Sequence, residues 1–116
     1  MNSDFWTFLA ELVASSSVII DRPRRSAHPR NPNLIYPYDY GYLEGTTSGD
    51  GQGIDVWLGS GDRGQVTGVV CTVDLHKRDA ELKVLLGCTA QEAQIISEFL
   101  NGTERLRCVV VPRPQS

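Results

Sequence analysis

Residues 35–58, IYPYDYGYLEGTTSGDGQGIDVWL, alternate two kinds of backbone and so leave the chain few choices of fold. The aromatic and β-branched stretch favours extended chain, the Gly/Ser/Thr run after it favours a turn, and IDVWL favours extended chain again. The segment reads as strand, loop and strand, with Pro37 and Gly41 interrupting the first strand. Two aspartates, Asp50 and Asp55, lie five residues apart across the loop and the second strand. The same spacing recurs at Asp74 and Asp79.

The remaining sequence places short strands between two helices. Residues 3–15 set Phe5, Trp6, Phe8, Leu9, Leu12 and Val13 on one face at helical spacing, with Ser3 as a cap. A short strand over 18–21 is stopped by Pro23. Across 22–34, Pro23, Pro29 and Pro32 alternate with basic residues; proline cannot donate to a ladder, so this stretch is a loop and no central strand. Residues 66–75 and 80–87 form a hairpin turned at HKRD, with Asp74 and Asp79 at its mouth. Thr89 and Glu92 make a capping box for a helix in which Ala93, Ile96, Phe99 and Leu100 share a face, closed by Asn101 and Gly102. Residues 106–111 are a last strand and 112–116 a frayed tail. The expectation is a mainly β, α+β chain with two helices, a small twisted barrel whose closure removes exposed strand edges. No strand-helix-strand alternation calls for a parallel sheet.

At 116 residues the chain suits one domain, 1–116. A net charge of −3 argues against nucleic acid as a partner, since that binding rests on neutralising many phosphates. No apolar run approaches the roughly 18 residues of a membrane span. The polar and acidic start lacks the basic stretch and apolar core of a secretory signal, and three cysteines in apolar settings, Cys71, Cys88 and Cys108, read as reduced core thiols. Both features point to the cytoplasm. Three aromatic residues on the first helix exceed what a small barrel must cover, which suits a homo-oligomer.

The aspartates carry the chemistry. Taken singly, each is ordinary turn or cap usage. Taken together, Asp50, Asp55, Asp74 and Asp79 come from two loop-and-strand segments that can converge, and hard divalent cations such as Mg²⁺ prefer such oxygen donors. A metal held there offsets phosphate charge and acidifies water, which is the chemistry of metal-assisted hydrolysis. Arg, Lys and Tyr side chains then hold the leaving phosphate.

The segment YPYDYGYLEGTTSGDGQGID resembles the Y-P-x-x-Y-G-(F/Y) strand and D-x-D-P-x-D motif of the soluble, Mg²⁺-dependent inorganic pyrophosphatases, with similarity over about residues 18–84. The resemblance implies a five-stranded OB-like barrel and hydrolysis of pyrophosphate, with Tyr36 and Tyr40 as active-site tyrosines. It implies Asp50 and Asp55 as outer metal-binding aspartates and Asp74 and Asp79 as the later pair. Asp55 and Tyr40 are then the catalytic candidates. This chain departs from the pattern in several places. Gln52 stands where the family has the middle aspartate that activates water, and Leu75 replaces a later acid. Glu81 stands near the substrate lysine, for which Lys83, two positions on and on the same strand face, is the substitute. The family's N-terminal hairpin shrinks to the 22–30 loop, so Arg25, His28 and Arg30 become the candidate phosphate contacts, and the later Tyr-Lys contact has no counterpart. Two alternatives remain at this point: a non-catalytic phosphate- or metal-binding module, favoured by Gln52, and a hydrolase of a nucleotide or another diphosphate.

Overall fold

The computed structural model describes residues 3–115, with side chains from residue 4 onward, so the cap read at Ser3 lies outside the described side chains. The elements run α1 (Ser3–Ala14), β1 (Val18–Arg22), β2 (Ala27–His28), β3 (Asn31–Ile35), β4 (Asp39–Leu43), β5 (Ile54–Leu58), β6 (Val66–Asp74), β7 (Asp79–Leu86), α2 (Ala90–Asn101) and β8 (Leu106–Pro112). The fold is mainly sheet with two helices.

The sheet itself differs from expectation. Six strands pair in the order β1-β4-β5-β7-β6-β8, and β2 pairs with β3 as a separate ribbon. The main sheet has β1 and β8 at its two ends, in place of a closed five-stranded barrel. It is also mixed: β6 returns on the far side of β7, so β5 meets β7 in parallel, Val56 opposite Val84, without an intervening helix. The loop read over 22–34 contains the β2-β3 ribbon. Pro32 is tolerated there because the ribbon is two strands wide and β3 is an edge.

Each face of the sheet is covered by one helix. On one side Trp6, Leu9 and Val13 of α1 pack with Leu43, Val56 and Val84. The six apolar residues of α1 do not share a face as the sequence suggested. Phe5, Phe8 and Leu12 form a second stripe, 44%, 72% and 37% exposed, because a stripe that wide exceeds the contact one helix makes with a sheet. On the other side Ile96 and Leu100 of α2, flanked by Ala93 and Phe99, cover Trp57, Val70 and Leu85. Burying such side chains stabilises by roughly 1.5–3 kcal/mol each. Residues 112–116 do not all fray: β8 runs through Pro112, and the Arg113 backbone N–H donates to the Thr67 carbonyl.

The capping box at Thr89 does more than start α2. Thr89 Oγ1 accepts from the Glu92 backbone N–H at 3.1 Å, Glu92 accepts from the Thr89 N–H at 2.9 Å, and its carboxylate also accepts from the Ser60 N–H at 3.2 Å. Glu92 therefore anchors the helix to the loop after β5. Burial alone would raise the Glu92 carboxyl, but the hydrogen bonds from Thr89 and Ser60 outweigh it and hold it below its ordinary 4.5. Stability from this group is present above about pH 4.5 and is lost as pH falls through the lowered folded value. Glu92→Gln should cost about 1–2 kcal/mol in denaturant unfolding at neutral pH, and the deficit should shrink toward about pH 3.

All three cysteines are free. Burial, followed by the Glu92 charge, pushes the Cys88 thiol up to about 12. In the folded protein at pH 8, iodoacetamide should modify Cys71 and Cys108 before Cys88, as mass spectrometry of the labelled chain would show.

Candidate active site

Alternation along β7 sets Asp79, Glu81 and Lys83 on the face that α2 covers. The parallel register brings Asp55 of β5 beside Lys83. Tyr40 pairs opposite Trp57, and Asp74 pairs opposite Asp79 across the hairpin mouth. Past the end of α2 the aromatic core thus gives way to a polar patch.

Lys83 is the centre of this patch. Its Nζ donates to Tyr40 OH at 2.8 Å and to Asp55 Oδ2 at 2.9 Å and lies 3.9 Å from Glu81 Oε1, with its side chain only 8% exposed. Burial first, and then the Asp55 carboxylate, push the Tyr40 hydroxyl well above the ordinary phenol value, so it stays protonated. Asp79 Oδ1 is buried and has no hydrogen-bond partner among the described residues. The Glu81 carboxyl is raised mainly by burial; Lys83 opposes this, while Asp55, Asp50 and Asp79 add to it. The patch holds more negative charge than Lys83 neutralises.

Glu81→Gln should therefore stabilise the metal-free protein. A carboxyl raised on folding makes stability fall as pH rises through its folded value, so the gain should appear as a higher Tm at pH 7 and fade near pH 4. A lower Tm at pH 7 would contradict this account of Glu81.

Asp50 and Asp74 are held by their own turns. Asp50 is exposed and accepts from Ser48 Oγ at 2.8 Å and the Gln52 N–H at 2.9 Å; these bonds, the one from Gln52 foremost, hold its carboxyl below the ordinary value. Asp74 is buried. Its Oδ1 accepts from the His76 and Lys77 backbone N–H groups at 2.9 and 3.0 Å, and its Oδ2 lies 3.6 Å from Arg105 Nε. Gln52 is exposed at the tip of the loop.

Cationic side chains share a cavity with Asp74 and Glu81. A cavity of about 140 Å³ beside Lys83 and Glu81 is bounded by His28, Lys77 and Arg105, with Tyr36 and Tyr40 in its aromatic side. It adjoins an outer hollow of about 440 Å³ that shares His28 and Arg105 and adds Arg30 and His76. Burial lowers the pKa of His28, and the charges of Arg22, Arg105, Arg30 and Lys77 lower it further, which favours the neutral imidazole. A larger hollow of about 550 Å³ near Thr89 and Arg113 has one charged side chain, Arg113, on its walls, so volume alone does not mark the site.

Of the residues singled out from sequence, His28, Tyr36, Tyr40, Asp74 and Lys83 line the inner cavity. Asp55 joins through Lys83, Asp79 lines neither hollow and pairs opposite Asp74 at the hairpin mouth, and Arg30 lines only the outer hollow. Arg25 lines neither: it is exposed in a left-handed turn, φ 73°, with its N–H bonded to the Tyr36 carbonyl. The sequence reading missed Lys77 and Arg105 as cations and Glu81 as an acid of the patch. Glu81 was detectable, since Asp79, Glu81 and Lys83 alternate on one strand. Among the described residues, no group of three or more His, Cys, Asp or Glu side chains is arranged to hold a metal ion.

The fold is similar to that of inorganic pyrophosphatase structures. The chain is similar to the structure of an inorganic pyrophosphatase from Coxiella burnetii, with TM-score 0.57 and 15% identity over 78% of this chain and 81% of that one. It is similar also to the inorganic phosphatase of Anaplasma phagocytophilum, with TM-score 0.53 and 17% identity over 82% of this chain and 81% of that one. At such identity the likeness concerns the fold. No protein-family model and no curated protein matches the sequence.

Proposed function

We propose that this chain hydrolyses phosphoanhydride bonds with the help of Mg²⁺ and that inorganic pyrophosphate is its substrate. The observation that supports this reading best is one cavity whose walls bring together the carboxylates Asp74 and Glu81, the cations Lys77, Lys83 and Arg105, and Tyr36 and Tyr40, with Asp55 bonded to Lys83 at its edge. The donors suit a hard cation chemically. They are all oxygens, the buried Asp79 Oδ1 lacks a partner, and Glu81 is burdened by neighbouring negative charge. Asp55 and Glu81, the two carboxylates 2.9 and 3.9 Å from Lys83 Nζ, and the neighbouring Asp79 are the residues that would supply oxygen donors, although as they stand they form no three-ligand cage. When bound, Mg²⁺ supplies charge neutralisation at the phosphate and acidification of water.

The chain's own residues do the rest. Lys77, Arg105 and His28, with Arg30 further out, grip the phosphate charges through charge-assisted hydrogen bonds. Tyr40, kept protonated, shares its hydroxyl with Asp55 and Lys83 and fixes the position of that carboxylate. Gln52 cannot take a proton, so no side chain acts as base at that position, and turnover should be slow. The helix stripe Phe5, Phe8 and Leu12 supports self-association, which solution mass measurement would test, and the free thiols suit a reducing cytoplasm.

A second reading is a module that binds phosphate without hydrolysing it. Gln52 favours it. A phosphate-release assay with pyrophosphate and a panel of nucleoside and organic diphosphates, each with and without Mg²⁺, separates the cases. Mg²⁺-dependent release, fastest with pyrophosphate, supports the proposal; faster release from an organic diphosphate reassigns the substrate; tight binding without release leaves the module.

A further inference from the structure

We infer that the Lys83 ammonium is a built-in cation of the carboxylate patch, tethered where a free ion would otherwise sit, so that divalent ions enter in competition with it. The inference deepens the reading above and rests on the patch being a cation site. Its warrant is geometric. Lys83 Nζ is 2.9 Å from Asp55 and 3.9 Å from Glu81, and Tyr40 fixes it from a third side at 2.8 Å. The side chain is only 8% exposed and borders the inner cavity, so its charge is held beside these partners with little access to bulk water.

Two consequences follow from Coulomb's law. A fixed positive charge a few ångströms from the donors repels an arriving divalent ion, and it neutralises part of the charge that would attract one. It also spares the ion-free protein the repulsion among Asp55, Asp79 and Glu81. Lys83 thus sets how tightly the patch takes a metal, by lowering that affinity while keeping the empty site folded.

The test is Mn²⁺ binding by the full chain, read from the electron paramagnetic resonance of free Mn²⁺ without substrate. Lys83→Met, which keeps the length and apolar stem, should bind Mn²⁺ about tenfold tighter or more than the natural chain, or take up an additional ion. Arg113→Met, on the far hollow, should bind as the natural chain does. Should Lys83→Met prove too unstable for titration, the rise in Tm at a fixed Mn²⁺ concentration replaces it, and that rise should be larger in Lys83→Gln than in the natural chain. Equal or weaker Mn²⁺ binding without the ammonium overturns the inference. Phosphate release measured in parallel keeps the two ideas apart: a gain in Mn²⁺ affinity without turnover upholds this inference and removes the hydrolytic reading.

Discussion

Asp55→Asn is expected to lower Mg²⁺-dependent phosphate release from pyrophosphate by about a hundredfold or more while leaving the chain folded. The expected size is that of removing one positioned electrostatic group from a reacting site. Asparagine preserves the volume of the side chain but removes its charge, and three functions go with that charge. The proposed oxygen donor is weakened, Lys83 loses its counter-ion at 2.9 Å, and Tyr40 loses the carboxylate that shares its hydroxyl. The cost in stability should be smaller, about 1–3 kcal/mol. Lys83 is buried, but Asp55 is a quarter exposed, so solvent screens the pair below the cost of a fully buried one. Denaturant unfolding beside the activity assay separates the two effects. Unchanged turnover in a folded Asp55→Asn protein would move the chemistry away from this patch.

Gly41→Ala should cost about 3 kcal/mol or more, or prevent folding. A Cβ at this position would lie 1.8 Å from the Ile19 carbonyl oxygen and 2.9 Å from the Ile20 Cα, both backbone atoms of the paired strand β1. No side-chain rotation relieves such a clash, so β1 and β4 must part, a penalty at the upper end of what overpacking produces. Gly45→Ala is the contrast. Nothing lies near its Cβ position and only its φ of +80° is unfavourable, so it should cost about 1–2 kcal/mol. Parallel denaturant curves test the pair, and similar losses at both positions would contradict the strand contact.

The same glycine shows what the sequence could and could not reveal. In YDYGYL it reads as an interruption of a strand, because only the paired backbone at Ile19 discloses that it is needed for close approach. Local signals were legible: the Thr89 capping box, the β6-β7 hairpin with Asp74 facing Asp79, and the apolar face of α2 all follow from neighbours a few residues apart. Long-range features were not. The parallel contact of β5 with β7 depends on where β6 returns, and the split of the α1 residues into buried and exposed stripes depends on how wide a strip of sheet the helix meets. Arg105 joins the site only because the α2-β8 corner folds back over the hairpin mouth to pair with Asp74. The Lys83 contact with Asp55 combines both kinds of information. Alternation along β7 gives the face, and strand order gives the partner.

Incubating the protein with pyrophosphate and Mg²⁺ in ¹⁸O-enriched water and following the ³¹P resonances tests the central claim most directly, because it reports both the bond broken and the source of the new oxygen. The account predicts conversion of pyrophosphate to phosphate, one solvent oxygen entering for each pyrophosphate consumed, and loss of that conversion in Asp55→Asn. Pyrophosphate that remains intact at protein concentrations sufficient to bind it would contradict a hydrolytic site.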